Sequence, residues 1–226
     1  MKYNNIHKAK FIKRLNRFVC EVELEGEKVL CHVKNTGRCR GLLKEGATVY
    51  LQKSDNPDRK YKYSLITVRK GERLINMDSQ APNKAVHEWL KAEKLFKNIT
   101  YLKPESTYGK SRFDFYFEYE GKKAYMEVKG VTLENDGIVS FPDAPTERGV
   151  KHINELCECV KQGYEAYIMF VVQMKDVLYF TPNAENDPAF AKAIRKAENK
   201  GVKVLCYDCE ITENEMKLKD EVVIKL

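Results

Sequence analysis

Between residues 10 and 80, apolar and polar positions alternate with a period of two. Segments 18–24 (Phe-Val-Cys-Glu-Val-Glu-Leu), 29–33, 47–52, 62–68 and 73–76 each read as a strand, and Gly26 marks a turn between the first two. Five strands with no helical period predict a small β-barrel. An OB-like barrel fits best, because that class offers a strand face and loops to oligonucleotides, although five strands also suit other small β folds. Past residue 80 the period changes. Ser79-Gln-Ala-Pro82-Asn83 precedes Ala85, Trp89, Ala92 and Phe96 at three- and four-residue spacing, which predicts a helix. There follow a hairpin (113–118 and 123–129), a short strand at 138–141, and a helix over about 146–162 ended by Gly163. Strands at 166–172 and 177–180, a helix opened by Asp187-Pro188 and closed by Gly201, and a strand at 202–207 complete the order. Strands alternating with helices make an α/β sheet with helices on its faces. The chain is therefore read as two domains, an OB-like β-barrel over 1–80 and an α/β domain with a mixed sheet over 81–226.

Charge sharpens that division. The net charge of +7 is modest, but residues 1–80 hold 18 Lys/Arg against 9 Asp/Glu, and the rest of the chain holds 22 against 24. A basic N-terminal half favours a polyanion, either nucleic acid or an acidic membrane surface, while a solvated basic face is the plain alternative. The longest apolar run, 166–172, is far shorter than the roughly 20 residues that span a bilayer, and residues 1–19 are basic and polar without an apolar signal core. A cytoplasmic address is expected, with no membrane partner and with either a monomer or a homodimer. Seven cysteines, an odd number, read as reduced and mostly buried thiols. Only Cys206-x-x-Cys209 has redox or zinc spacing, and it lacks a second half.

The hairpin carries the candidate chemistry. If Glu120 and Gly121 form its turn, paired positions sum to 241, so Phe113, Phe115 and Phe117 face Val128, Met126 and Ala124, and Asp114 faces Glu127. Moving the turn by one residue sets Asp114 opposite Lys129 without changing any side chain's face. Asp114, Glu127 and Lys129 converge either way. Two opposed carboxylates call for a cation, and a hard divalent ion takes one or two carboxylates with water and substrate phosphate completing its shell. Mg2+ (or Mn2+) is the expected cofactor, with Lys129 orienting the attacking water or offsetting charge on the phosphate. A surface hairpin in which Lys129 merely bridges two acids explains the same three residues.

Longer motifs surround them. Ser111-Arg-Phe-Asp114-Phe115, Tyr125-Met-Glu127-Val-Lys129-Gly-Val-Thr132 and Phe141-Pro-Asp-Ala-Pro-Thr-Glu-Arg-Gly-Val-Lys-His152, with Asn35-Thr-Gly-Arg38 and Gly41-Leu-Leu43 upstream, resemble the sugar fermentation stimulation protein family over nearly the whole chain. Cys39 and Arg40 depart mildly from that pattern. The resemblance implies an OB-type domain followed by a domain of the restriction-endonuclease superfamily, whose metal motif is an Asp followed by Glu-x-Lys. It also implies DNA binding with little sequence preference, and a regulatory role in sugar (maltose) metabolism. Two functions follow: a Mg-dependent deoxyribonuclease, or a non-catalytic DNA-binding regulator.

Around the site, Glu105 is either a third metal acid preceding the hairpin or an exposed loop carboxylate. Thr146 is read as the cap of a helix whose buried stripe is Val150, Ile153, Cys157 and Val160, leaving Arg148, Lys151 and His152 off it to hold a DNA backbone, with His152 alternatively a surface or packing residue or, less favoured, a catalytic base. Asp143 and Glu147 either take part directly or pair with Arg112 or Arg148. In the barrel, Lys13, Arg14 and Arg17 beside Phe18, and Lys34, Asn35, Arg38 and Arg40, form the DNA-binding candidates, with cations for phosphates and an aromatic for a base.

Overall fold

The computed structural model describes residues 1–109 and 111–226. Its first half is a closed barrel of β1 (Ile6–Asn16), β2 (Val19–Leu24), β3 (Glu27–Val33), β4 (Thr48–Lys53) and β5 (Tyr63–Lys70), with β6 (Arg73–Asn76) added beside β5. The strand order is β3-β2-β1-β4-β5-β6, and parallel pairing of Cys31, His32 and Val33 with Tyr63, Ser64 and Leu65 closes the ring. β1 is a strand that the alternation pattern, which begins at residue 18, does not predict. Only Ala9 and Phe11 of its eleven residues are buried, and two bulges interrupt its pairing with β2, so no clean alternation survives.

After helix α1 (Ala81–Lys91) the chain builds a six-stranded mixed sheet from β7 (Ile99–Tyr108), β8 (Ser111–Tyr119), β9 (Lys122–Val131), β12 (Glu165–Val172), β14 (Lys203–Ile211) and β15 (Met216–Glu221), in the order β15-β14-β12-β9-β8-β7. β9, β12 and β14 run parallel, as a crossover through a helix requires, and the outer pairs are antiparallel. α2 (Glu147–Lys161) and α3 (Pro188–Glu198) cover one face and α1 lies against the other. A small second sheet joins β10 (Leu133–Asn135), β11 (Ile138–Phe141) and β13 (Tyr179–Pro182). α2 and α3 start on the caps that the sequence indicates, Thr146 Oγ1 accepting from Gly149 N and an Asp187 carboxylate oxygen from Phe190 N. β7, β10 and β15 were not legible, so the hairpin is in fact the inner part of a three-strand meander.

The two halves share one core. Barrel residues such as Leu65, Ile75 and Met77 belong to the same buried cluster as Val131, Phe170 and Met174. A buried polar knot crosses the junction: Gln173 Nε2 donates to the Asn76 and Asp78 carbonyls and to Asn76 Oδ1, and Asn76 N donates back to Gln173 O. The first residues lie against the second half, with Tyr3 N donating to Asn214 O and the terminal ammonium paired with Glu88. No described helix is long and apolar enough to cross a membrane.

Candidate metal centre

The hairpin turn falls where the first register placed it. Glu120 and Gly121 both have positive φ, as a two-residue turn of the primed kind requires, and Phe115 pairs with Met126 and Phe117 with Ala124. The ladder stops at Phe115/Met126. Beyond it, Val128 N donates to Asp114 Oδ2 at 2.7 Å, so the carboxylate occupies the space that a continuing ladder would fill. Alternation slips here as well. Phe115 and Phe117 pack on the α1 side, whereas Phe113 packs with Tyr125 and His152 on the α2 side. The polar face is not a surface: Glu127 is 3% exposed, lying on a strand flanked by β8 and β12 and beneath α2.

Asp114 Oδ1 accepts from Asn83 Nδ2 at 2.6 Å, a contact supplied by α1 that nothing in the sequence pattern signalled. Glu127 Oε1 accepts from Lys129 Nζ at 2.5 Å and faces His152 Nδ1 at 2.6 Å. Arg148 Nε donates to His152 Nε2 at 3.5 Å, which assigns the ring proton to Nδ1 and makes it the donor to Glu127. Glu127 Oε2 is buried and has no hydrogen-bond partner. Burial and the charge of Glu127 push the Asp114 carboxyl above its ordinary range, against the donors Val128 N and Asn83 and the charge of Lys129. For Glu127, burial works in the same direction but is outweighed by the bonds and charges of His152 and Lys129, so its carboxyl is held below the usual range. The two acids are thus unequal: one is held as a carboxylate, and the other is penalised for ionising unless a cation joins it.

His152 takes the packing alternative, since it is buried although it lies off the predicted stripe. α2 is sandwiched between the sheet and α3, so a second stripe of Gly149, His152, Leu156 and Cys159 is buried beside the first. Glu105 falls opposite Asp114 in the β7–β8 ladder, between the pairs Pro104/Phe115 and Ser106/Phe113, but its carboxylate is engaged elsewhere. Its backbone is left-handed (φ 51°), and its carboxylate is 68% exposed and meets Arg112 at 3.4 Å. Among the described residues no group of three or more His, Cys, Asp or Glu side chains is placed to hold a metal. Two carboxylates with one buried oxygen left over suit a hydrated divalent ion, which completes its shell with water and phosphate. The cysteines are free, and Cys206 and Cys209 belong to clusters on opposite faces of β14, so the C-x-x-C spacing forms no joint site.

The basic candidates separate into two groups. Arg14 spends all five N–H donors on main-chain carbonyls, those of Asn16, Arg17, Asn35, Gly37 and Arg38. Asn35 Oδ1 accepts from Gly37 N, and Lys34 pairs with the buried Asp78 at 3.0 Å. The bonds of these three residues shape the loop that carries the other basic candidates. Arg17, Arg38, Arg40 and Arg148 are exposed, Lys13 is exposed with a loose pairing to Glu21, and Lys151 is exposed with Glu155 at 3.8 Å. Asp143 pairs with neither arginine proposed for it. Its Oδ2 accepts from Arg38 N at 2.9 Å and sits against Gly37, where an added Cβ would come within 2.5 Å. Arg14→Lys is expected to cost about 1–2 kcal/mol, because an ammonium with three donors cannot replace a planar five-donor fork. Faster amide exchange confined to residues 35–41 would show it, and wild-type exchange there would refute it.

Fold and site together define a class: an OB barrel joined to an α/β domain of the restriction-endonuclease type, with an Asp and a Glu-x-Lys at the end of adjacent central strands. Two family models match, the SfsA N-terminal OB domain over residues 12–77 and the sugar fermentation stimulation protein RE domain over 80–215. The chain belongs to the sugar fermentation stimulation protein family. It is 56% identical over 226 residues to the sugar fermentation stimulation protein homolog of Clostridium beijerinckii, covering 100% of both chains. It is 54% identical to that of Desulfitobacterium hafniense, covering 100% of this chain and 99% of the relative. The structure of Pyrococcus furiosus SfsA in complex with Ca2+ matches with a TM-score of 0.91 at 24% identity, covering 100% of this chain and 98% of that one, which establishes the common fold.

Proposed function

We propose that this protein binds DNA with little sequence preference and hydrolyses its phosphodiester bonds with a divalent cation, Mg2+ or Mn2+, held by Asp114 and Glu127. The observation that carries the reading is the unpartnered, buried Oε2 of Glu127 beside an Asp whose ionisation is penalised. A bound divalent ion would supply Lewis acidity toward a phosphoryl oxygen and a more acidic water. The chain's own groups do the rest. His152 and Lys129 hold Glu127 ionised and fix its rotamer, and Asn83 with Val128 N fixes Asp114. Lys129, partly exposed, offers a cation to the scissile phosphate. Arg148 on the first turn of α2, and Arg38 and Arg40 across the junction, offer cations to flanking phosphates. The Ca2+ complex of the Pyrococcus furiosus relative supports a divalent ion in this fold.

The relatives' name favours a second reading, a DNA-binding regulator of sugar metabolism that retains the nuclease fold as scaffold. Plasmid and linear DNA incubated with purified protein and Mg2+ or Mn2+, beside an Asp114→Ala/Glu127→Ala variant, separates the two. Cleavage by the wild type alone is expected. DNA left equally intact by both, with binding retained, would leave the regulator.

A further inference from the structure

Glu127 has one side of its carboxylate occupied and the other empty. Lys129 Nζ lies 2.5 Å from Oε1 and His152 Nδ1 donates to the same oxygen at 2.6 Å, while the buried Oε2 has no partner. The ion pair is secluded, the Glu127 side chain being 4% exposed and that of Lys129 18%. A divalent ion entering between Glu127 and Asp114 therefore meets an ammonium on the carboxylate that is to hold it. At the few ångströms between two partners of one carboxylate, with little water to screen them, a dication and an ammonium repel strongly. Two like charges compete for one acid.

We infer that Lys129 is the resident counter-ion of Glu127 and is exchanged for the metal, moving to a DNA phosphate as the ion is loaded, so that metal and DNA each tighten the binding of the other. This rests on the nuclease-type reading of the centre and adds how its loading is controlled. The exchange strands no acceptor, because Glu127 Oε1 keeps the His152 donor when the ammonium leaves. It is also within reach of the lysine, the more exposed member of the pair, whose flexible four-carbon stem can carry its ammonium to the surface. Charge then sets the direction. Asp114 is engaged by the neutral donors Asn83 Nδ2 and Val128 N, so the two acids share a single ammonium and leave one negative charge uncancelled. Adding a dication while the ammonium stays leaves one positive charge in a largely buried site, which a DNA phosphate cancels. Metal loading without DNA is therefore opposed by Lys129, and loading with DNA is not. Reciprocity of binding free energies requires that the metal favour DNA to the same extent.

The test is binding without turnover: calorimetric titration of the full chain with Ca2+, alone and saturated with a phosphorothioate-linked duplex that resists hydrolysis, with the Asp114→Ala/Glu127→Ala variant as the blank for Ca2+ held by the duplex. Wild type is expected to bind Ca2+ about tenfold more tightly with the duplex than without, a coupling of ordinary size for two linked sites. Lys129→Met should bind Ca2+ about tenfold more tightly than wild type in the absence of DNA and gain little from the duplex, whereas Lys129→Arg, which keeps the charge, should bind as weakly as wild type. Wild-type affinity unchanged by the duplex, Lys129→Met binding no more tightly than wild type, or an equal gain in Lys129→Arg overturns the inference while leaving the metal centre intact. The wild-type comparison stands even where a variant folds poorly. Absence of Ca2+ binding from wild type and both Lys129 variants, with and without DNA, removes the metal-centre reading itself.

Discussion

Glu127→Ala is expected to cost about 3 kcal/mol of folding stability in EDTA, whereas Asp114→Asn is expected to be neutral or stabilising, although both should abolish metal-supported cleavage. The sign differs because the two carboxyls sit in opposite electrostatic settings. Removing Glu127 strands the Lys129 ammonium and the His152 N–H in a largely buried site, and breaking a buried ionic pair from one side typically costs about 3–5 kcal/mol. Asp114 instead pays for its charge. An asparagine there can accept from Val128 N and, with the Asn83 amide turned over, donate to Asn83, so the hydrogen bonds survive without the penalty. The pH dependence follows the same division. The raised Asp114 pKa means that wild type gains stability as pH falls through that folded value toward the unfolded one, a gain that Asp114→Asn lacks. The depressed Glu127 pKa contributes stability above the unfolded value of 4.5, lost as pH falls through the folded one. Urea unfolding of both variants from pH 4 to pH 8 checks this. Equal destabilisation by the two substitutions, with no change in the response of the melting temperature to Mg2+ or Ca2+, would mean that Lys129 only bridges two acids.

The second large effect is expected at Glu134, which clamps the barrel to the sheet domain. Its buried carboxylate meets Lys70 at 2.6 Å and Arg73 at 2.9 Å from the β5–β6 hairpin and accepts from Gly137 N, while Lys70 also donates to its carbonyl. Burial alone would raise the Glu134 pKa, but Lys70, the Gly137 N–H and Arg73 outweigh it and hold the carboxyl below its ordinary range. Glu134→Gln is expected to lose about 2 kcal/mol, less than for a fully buried pair because both cations keep some access to water. The deficit should be full above the ordinary carboxyl pKa and fade as pH falls below it, where the wild-type pair itself is lost. Wild-type stability of the variant at pH 7 would show that the shared core alone joins the halves.

Much of this site could be read from the sequence because its geometry is local. A two-residue turn fixes which residues of β8 face which of β9, and the helix caps at Thr146 and Asp187 are encoded within four residues. What could not be read depends on distant segments. His152 looks solvent-facing in a single amphipathic stripe and is buried only because α3 covers a second one. Asn83 reads as a cap residue, yet its amide is aimed at Asp114 by the packing of α1 on the sheet. Strand β7 hides behind Pro104 and a left-handed Glu105, and that backbone turn also helps direct the Glu105 carboxylate to Arg112 instead of the acid pair. Arg14 looks like any basic surface residue until the loop it holds is folded.

The Glu120-Gly121 turn has a consequence for how the site tolerates change. Strand side chains alternate between faces, so one residue inserted between these two would send Glu127 toward α1 and present Val128 to His152. Two inserted residues would restore the face but displace Glu127 along the strand relative to Asp114. The spacing between the two acids is therefore gauged by a solvent-exposed turn six residues from each, and length variation there is as damaging as loss of a carboxylate.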